Sequence, residues 1–241
     1  MRIAQRIAEK NKNANANRPI TMAFLGDSVT HGYFELYQSG PKDIGSECRP
    51  SRAYHHILKK MIEDVFPECP INVIDAGVGG DNARGGLARL ERDVISFKPD
   101  LAVVCFGLND SCSGMEKLPD YIAAMRSIFK ELKRNDIEAI CMSPNMIGTR
   151  LLEEDTNPFI RGILASIIKY QIDGTMDMYM SALSELCEKE GVPFCDCYTQ
   201  WKKLYSYGAD VTRLLANHVN HPSETMHELF ARALFNKIFE L

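Results

Sequence analysis

Short, largely apolar runs separated by stretches of helical periodicity recur along almost the whole 241-residue chain. The runs cover residues 20–25, 71–76, 101–106, 138–143 and 192–197. They are continuous rather than alternating, as expected of strands covered on both faces in a parallel sheet. Helical patterns lie between them over 52–65, 82–97, 119–133 and 157–190, with a last helix after Pro222. Gly191 is placed to cap the fourth of these helices. Lys98-Pro99-Asp100 marks the start of the third strand. Strictly alternating elements imply right-handed crossovers with helices on both faces of the sheet. The expectation is therefore an α/β protein, a three-layer α/β/α sandwich on a five-stranded parallel sheet. Residues 19–241 read as one domain, without linker, repeat or low-complexity stretch. Residues 1–18 read as a helix or arm, packed on the body or at a homo-oligomer contact.

Composition narrows the function. A net charge of −4, a pI near 5.9 and no Lys/Arg cluster argue against a nucleic-acid partner. No apolar run approaches the roughly 20 residues that span a bilayer, so no membrane partner is expected. The charged, Asn-rich first 18 residues lack the apolar core of a secretory signal. Eight cysteines show no paired metal spacing, and Cys105, Cys141 and Cys195 sit within apolar runs as small hydrophobes. The lone Cys195-Asp196-Cys197 cannot supply a zinc site. Reduced thiols and a cytoplasmic location follow as expectations.

Four short blocks carry the candidate chemistry. The first strand runs straight into Gly26-Asp27-Ser28, where a glycine lets the backbone turn sharply. Open α/β sheets place their chemistry at such carboxyl ends of strands. The second strand leads into Gly77-Val78-Gly79-Gly80-Asp81-Asn82 at the start of a helix. This is not a dinucleotide loop, because Asn82 stands where the third glycine of G-x-G-x-x-G belongs. It does offer backbone N–H groups at a helix start, which suit a negative oxygen. The third strand ends in Gly107-Leu108-Asn109-Asp110, where an Asn amide can donate into the same cleft. Near the end of the chain stands His221-Pro222, with Pro222 fitting the first turn of the last helix. Each block alone is also what an ordinary turn uses. Two longer segments, 30–49 and 145–157, are expected at the same sheet edge as pocket walls, unless their aromatics merely cap the core.

Taken together, the blocks resemble the SGNH (GDSL-type) hydrolase family, whose hallmark residues match Ser28, Gly80, Asn109 and His221 in order and placement. The resemblance implies a flavodoxin-like fold and esterase or acylhydrolase activity without metal or organic cofactor. It implies a Ser28 nucleophile activated by His221, with the N–H groups of Ser28 and Gly80 and the Asn109 amide around the oxyanion. Asp27 and Asp110 are expected to brace the neighbouring turns. The expected reaction is removal of an acyl group, an O-acetyl group foremost, from a small or carbohydrate-linked ester. A lysophospholipase or acyl thioesterase is the rival within the fold, and a non-catalytic carbohydrate-binding module the rival outside enzymology.

One departure stands out. The family's triad acid is usually an Asp three residues before the His, and here that position is His218. Three readings stay open at this stage. His218 or a backbone carbonyl orients His221; Asp196, at the end of the fifth strand, supplies the carboxylate; or the site is inactive.

Overall fold

The computed structural model describes all residues, 1–241. Five parallel strands form the sheet: Ile20–Gly26 (β1), Ile71–Gly77, Leu101–Cys105, Glu138–Met142 and Phe194–Cys195. In chain order of these strands the sheet runs second, first, third, fourth, fifth, which is the flavodoxin-like order. The two central strands are the most completely covered. Every residue of Leu101–Cys105 is buried, as are all but Thr21 in β1, which is why both read as unbroken apolar runs. Register places Gly26 beside Gly77 on one side and Cys105 on the other, so three chain segments leave the sheet side by side.

Helices cover both faces. The chain begins with α1 (Arg2–Lys12), whose Ile3 and Ile7 are fully buried. The short α2 (Ser28–His31) follows β1 directly. Segment 30–49, read as a loop, carries an antiparallel hairpin outside the main sheet, β2 (Tyr33–Gln38) and β3 (Ile44–Cys48). Its pairing is irregular between Tyr33 and Leu36, and most of its residues keep some exposure. Then come α3 (Tyr54–Val65), β4 (Ile71–Gly77), α4 (Ala83–Asp93), β5 (Leu101–Cys105), α5 (Leu108–Ser111), α6 (Leu118–Arg134) and β6 (Glu138–Met142).

The region expected as one helix over 157–190 is two, α7 (Pro158–Ile172) and α8 (Thr175–Glu190). Asp173-Gly174 breaks it, because Gly174 adopts φ +83° and Asp173 accepts the N–H of Thr175. Gly191 caps α8 in the left-handed region, as expected. The fifth sheet strand, β7 (Phe194–Cys195), is shorter than 192–197. Pro193 has no N–H to give, and Asp196 already caps an unexpected helix, α9 (Cys197–Ser206). The last helix, α10 (Glu224–Phe239), starts two residues later than Pro222. Pro222 instead bridges to Leu215, so His221 stands on a turn held outside the helix. No helix is long and apolar enough to cross a membrane.

Candidate active site

Ser28 is placed by a turn that only glycine permits. A Cβ on Gly26 would lie 2.0 Å from Thr30 Oγ1 and 2.9 Å from the Cys105 carbonyl. Asp27 then caps α2, its Oδ1 accepting the Val29 N–H at 3.0 Å, and Ser28 becomes the first helical residue. Its own N–H belongs to the donors that a helix start leaves without intrahelical partner. Burial pushes the Asp27 carboxyl up to about 7.

Gly80 follows β4 at φ +74°, with nothing within 4 Å of where a Cβ would stand. The loop is pinned by Arg89 of α4. Its guanidinium donates to the Gly26 carbonyl (2.8 Å), the Ala76 carbonyl (2.6 Å) and Asp81 Oδ2 (2.7 Å). One buried arginine thus ties the ends of β1 and β4 to the Gly80 turn. Asn109, in α5 beyond β5, donates from Nδ2 to the Asp81 carbonyl at 2.8 Å. Next to it, Asp110 accepts the Ala83 N–H at 3.0 Å, so the second and third blocks lock together. Asp110 Oδ2 has no partner, and burial pushes this carboxyl up to about 6.

His221 arrives from the far end of the chain. Its Nε2 lies 2.9 Å from Ser28 Oγ, and its Nδ1 lies 2.8 Å from the Phe34 carbonyl of β2. A carbonyl can only accept, so Nδ1 carries the proton and Nε2 presents its lone pair to the serine. Burial lowers the imidazole to about 4, partly offset by the Phe34 hydrogen bond and the nearby Glu35 charge. Asn217 shapes the turn. Its Oδ1 accepts the N–H groups of Val219, Asn220 and His221 at 3.1, 2.9 and 2.9 Å. Segment 145–157 supports this turn from behind, with Asn145 donating to the Asn220 carbonyl and Gly148 to that of Val219.

These groups open into a cleft of about 630 Å³ lined by Ser28, Gly80, Asn109 and His221. The hairpin forms one wall through Tyr33, Leu36, Ile44, Gly45 and Ser46, and α7 adds Ile163 and Ile167. Segment 30–49 therefore lines the cleft, whereas 145–157 does not. No cluster of His, Cys, Asp or Glu side chains that could hold a metal occurs.

Two sequence candidates lie elsewhere. His218 sits at φ +59° with its ring turned away, Nδ1 being 2.8 Å from Asp155 Oδ1. Asp196 accepts from Ser143 Oγ at 3.1 Å and caps α9 through the Thr199 N–H at 3.0 Å. Neither orients His221. The backbone carbonyl of Phe34 does, and no side-chain pattern announces a carbonyl. Arg89 and Asn217 were also missed, although an Asn just ahead of a turn is a readable Asx cue.

Residues 24–229 match the model of the GDSL-like lipase/acylhydrolase family. The chain belongs to this family. Like other GDSL-family members of its kind, it is a carboxylic ester hydrolase. It is 26% identical over 229 residues to an acetylxylan esterase of Geobacillus stearothermophilus, spanning 90% of this chain and 93% of that one. The crystal structure of an acetylxylan esterase from that organism superposes with a TM-score of 0.66 at 26% identity, over 91% of this chain and 94% of the other. Solved catalytic mutants of that enzyme replace a serine, an aspartate and, three residues beyond it, a histidine. A second acetyl xylan esterase shares the fold at 19% identity, with a TM-score of 0.65 over 90% of this chain and 98% of its own. This GDSL-family chain has His218, not aspartate, three residues before His221.

Proposed function

We propose that this hydrolase is a serine esterase that removes acetyl groups from carbohydrate-linked esters, acetylated xylo-oligosaccharides foremost. The observation that carries the reading is the 2.9 Å contact of His221 Nε2 with Ser28 Oγ, inside a cleft shared with Gly80 and Asn109. A serine hydroxyl becomes a competent nucleophile when a neighbouring base takes its proton. In this reading His221 takes the Ser28 proton at Nε2 as Oγ bonds to the ester carbonyl carbon. The carbonyl oxygen gains the negative charge, and the N–H groups of Ser28 and Gly80 and the Asn109 amide receive it. His221 returns the proton to the departing sugar oxygen, leaving an acetyl-enzyme. Water, deprotonated by the same nitrogen, then releases acetate and restores Ser28.

A carbonyl replaces the usual carboxylate behind the histidine. In the protease precedent, loss of the Asp carboxylate costs about 10⁴ because the imidazole adopts the wrong tautomer. The Phe34 carbonyl enforces the right one. The low basicity of His221 keeps it neutral, and therefore able to accept a proton, throughout the neutral range.

Support for a small acyl group on a sugar comes from the mixed lining of the hairpin wall and from the similarity to acetylxylan esterases. Acetate release from acetylated xylo-oligosaccharides, alongside turnover of 4-nitrophenyl acetate, butyrate and octanoate, tests it. The expected result is acetyl preference, with Ser28→Ala lowering turnover by about 10⁶. Much faster cleavage of octanoate, or full activity in Ser28→Ala, overturns the reading.

A further inference from the structure

We propose that Arg49 is a positioning residue for His221, fixing the Phe34 carbonyl that holds the imidazole. The inference rests on the role given to His221 above. The contact between the Phe34 carbonyl and His221 Nδ1 joins two segments distant in sequence, the hairpin and the turn before α10. Arg49 lies just beyond β3 and grips both segments. Two bonds of 3.0 Å run from its Nη2 to the Glu35 carboxylate, and Glu35 is the next residue after Phe34. Its Nε lies 3.0 Å from Glu224 Oε1, three residues beyond His221 at the start of α10, as a charge contact and not an aligned hydrogen bond. Its Nη1 lies 2.7 Å from Glu47 of β3. The guanidinium carbon also stands 4.5 Å over the Phe34 ring. One planar cation therefore braces Phe34 by its ring and through its neighbour, and ties that neighbour to the segment carrying the imidazole.

The Phe34 ring also packs against His227 of α10, with centroids 5.1 Å apart, and Tyr33 stacks over His221, but Arg49 is the charged group that contacts carboxylates on both segments. The Phe34 carbonyl itself belongs to a hairpin outside the main sheet, with an irregular register between Tyr33 and Leu36. Sheet pairing therefore does not fix where that carbonyl points. A guanidinium that forks onto one carboxylate, lies flat over an aromatic ring and keeps its charge beside two further carboxylates suits this task, and a lysine ammonium does not. Displacing a catalytic group by about 1 Å can cost 10² in rate.

The test uses Arg49→Ala, Arg49→Lys and Glu224→Gln in the full chain, with three readouts. These are kcat and KM on 4-nitrophenyl acetate, the low-field proton NMR resonance of His221 Nδ1–H, and rescue by millimolar guanidinium. The His221 resonance is identified by its loss in His221→Asn. Arg49→Ala is expected to lower kcat by about tenfold or more while KM changes less than about threefold. The Nδ1–H resonance shifts or broadens, guanidinium restores part of the rate, and Arg49→Lys falls between. Wild-type kcat and an unmoved resonance in a folded Arg49→Ala overturn the proposal, as does a change confined to KM. If Arg49→Ala does not fold, Glu224→Gln decides on the same two readouts. The resonance is also recorded in the Ser28→Ala background, where no turnover is needed. Failure of the esterase reading, seen as retained activity in Ser28→Ala, is thereby separated from failure of this one.

Discussion

On one side of the cleft, Ser28, Gly80 and Asn109 stand at the carboxyl ends of three adjacent strands; on the other, the hairpin reaches in from outside the sheet. The strand side is held by buried groups. Arg89, whose side chain is 9% exposed, spends its donors on the Gly26 and Ala76 carbonyls and on Asp81. Asp110 and Asn109 close the same network through Ala83 and Asp81. The hairpin side depends on Arg49, 27% exposed, among Glu35 and Glu47 at 47% and 56%. The surroundings of the proposed oxyanion are thus fixed by low-dielectric hydrogen bonding, and the alignment of the proposed base by a half-wet ion cluster. Rigid burial lies where charge would develop in the proposed reaction, while the hairpin that lines the cleft keeps looser, solvent-screened ties.

The contrast can be broken in graded steps. Asn109→Ala removes a proposed oxyanion donor and is expected to lower kcat about 10²–10³-fold with little change in KM, measured on 4-nitrophenyl acetate. A purely KM effect would assign Asn109 to substrate binding instead. Arg89→Ala strands two carbonyls and Asp81, so urea unfolding should show a loss of about 3–5 kcal/mol. Arg49→Ala should cost about 1 kcal/mol or less in the same experiment, because its partners are exposed. Equal losses would erase the distinction between the two walls.

The pH profile sharpens the picture of the base. Burial lowers His221 to about 4, and only its neutral form could accept a proton from Ser28 in the proposed reaction. The acidic limb of kcat/KM should therefore lie well below the ordinary histidine value of about 6.5, with activity holding as pH falls from neutrality and dropping near the lowered value. A limb at the ordinary value would mean that water reaches the imidazole. The smallest effects are expected at the two discarded candidates. His218→Ala and Asp196→Asn should each leave kcat within about threefold of wild type, Asp196→Asn keeping a side chain able to cap α9. A loss of about a hundredfold in either would return that residue to the role of orienting His221.

Much of this was legible in the residues. Apolar runs at 20–25 and 101–106 marked strands because central parallel strands are buried on both faces and leave no polar alternation. Ser28, Gly80, Asn109 and His221 stood out because each sits at a strand end or turn with distinctive chemistry. The break at Asp173-Gly174 carried a readable turn dipeptide that the long apolar periodicity on either side obscured. The hairpin was hidden for a different reason. Its strands lie outside the sheet and are partly exposed, so Tyr33–Gln38 and Ile44–Cys48 have neither continuous apolarity nor clean alternation. Helix α9 was obscured because its start, Asp196-Cys197, overlaps the apolar run that ends the sheet.

The sequence by itself determined the layer order, the four turns that meet at one sheet edge and the absence of aspartate three residues before His221. Local patterns carry that information because burial periodicity and turn chemistry act over a few residues. What stands behind the imidazole was decided only in three dimensions. The Phe34 carbonyl and His221 are separated by 187 positions, and the group that matters is a backbone atom every residue possesses. No choice of side chain encodes it; only the packing of the hairpin against the turn before α10 brings it into reach.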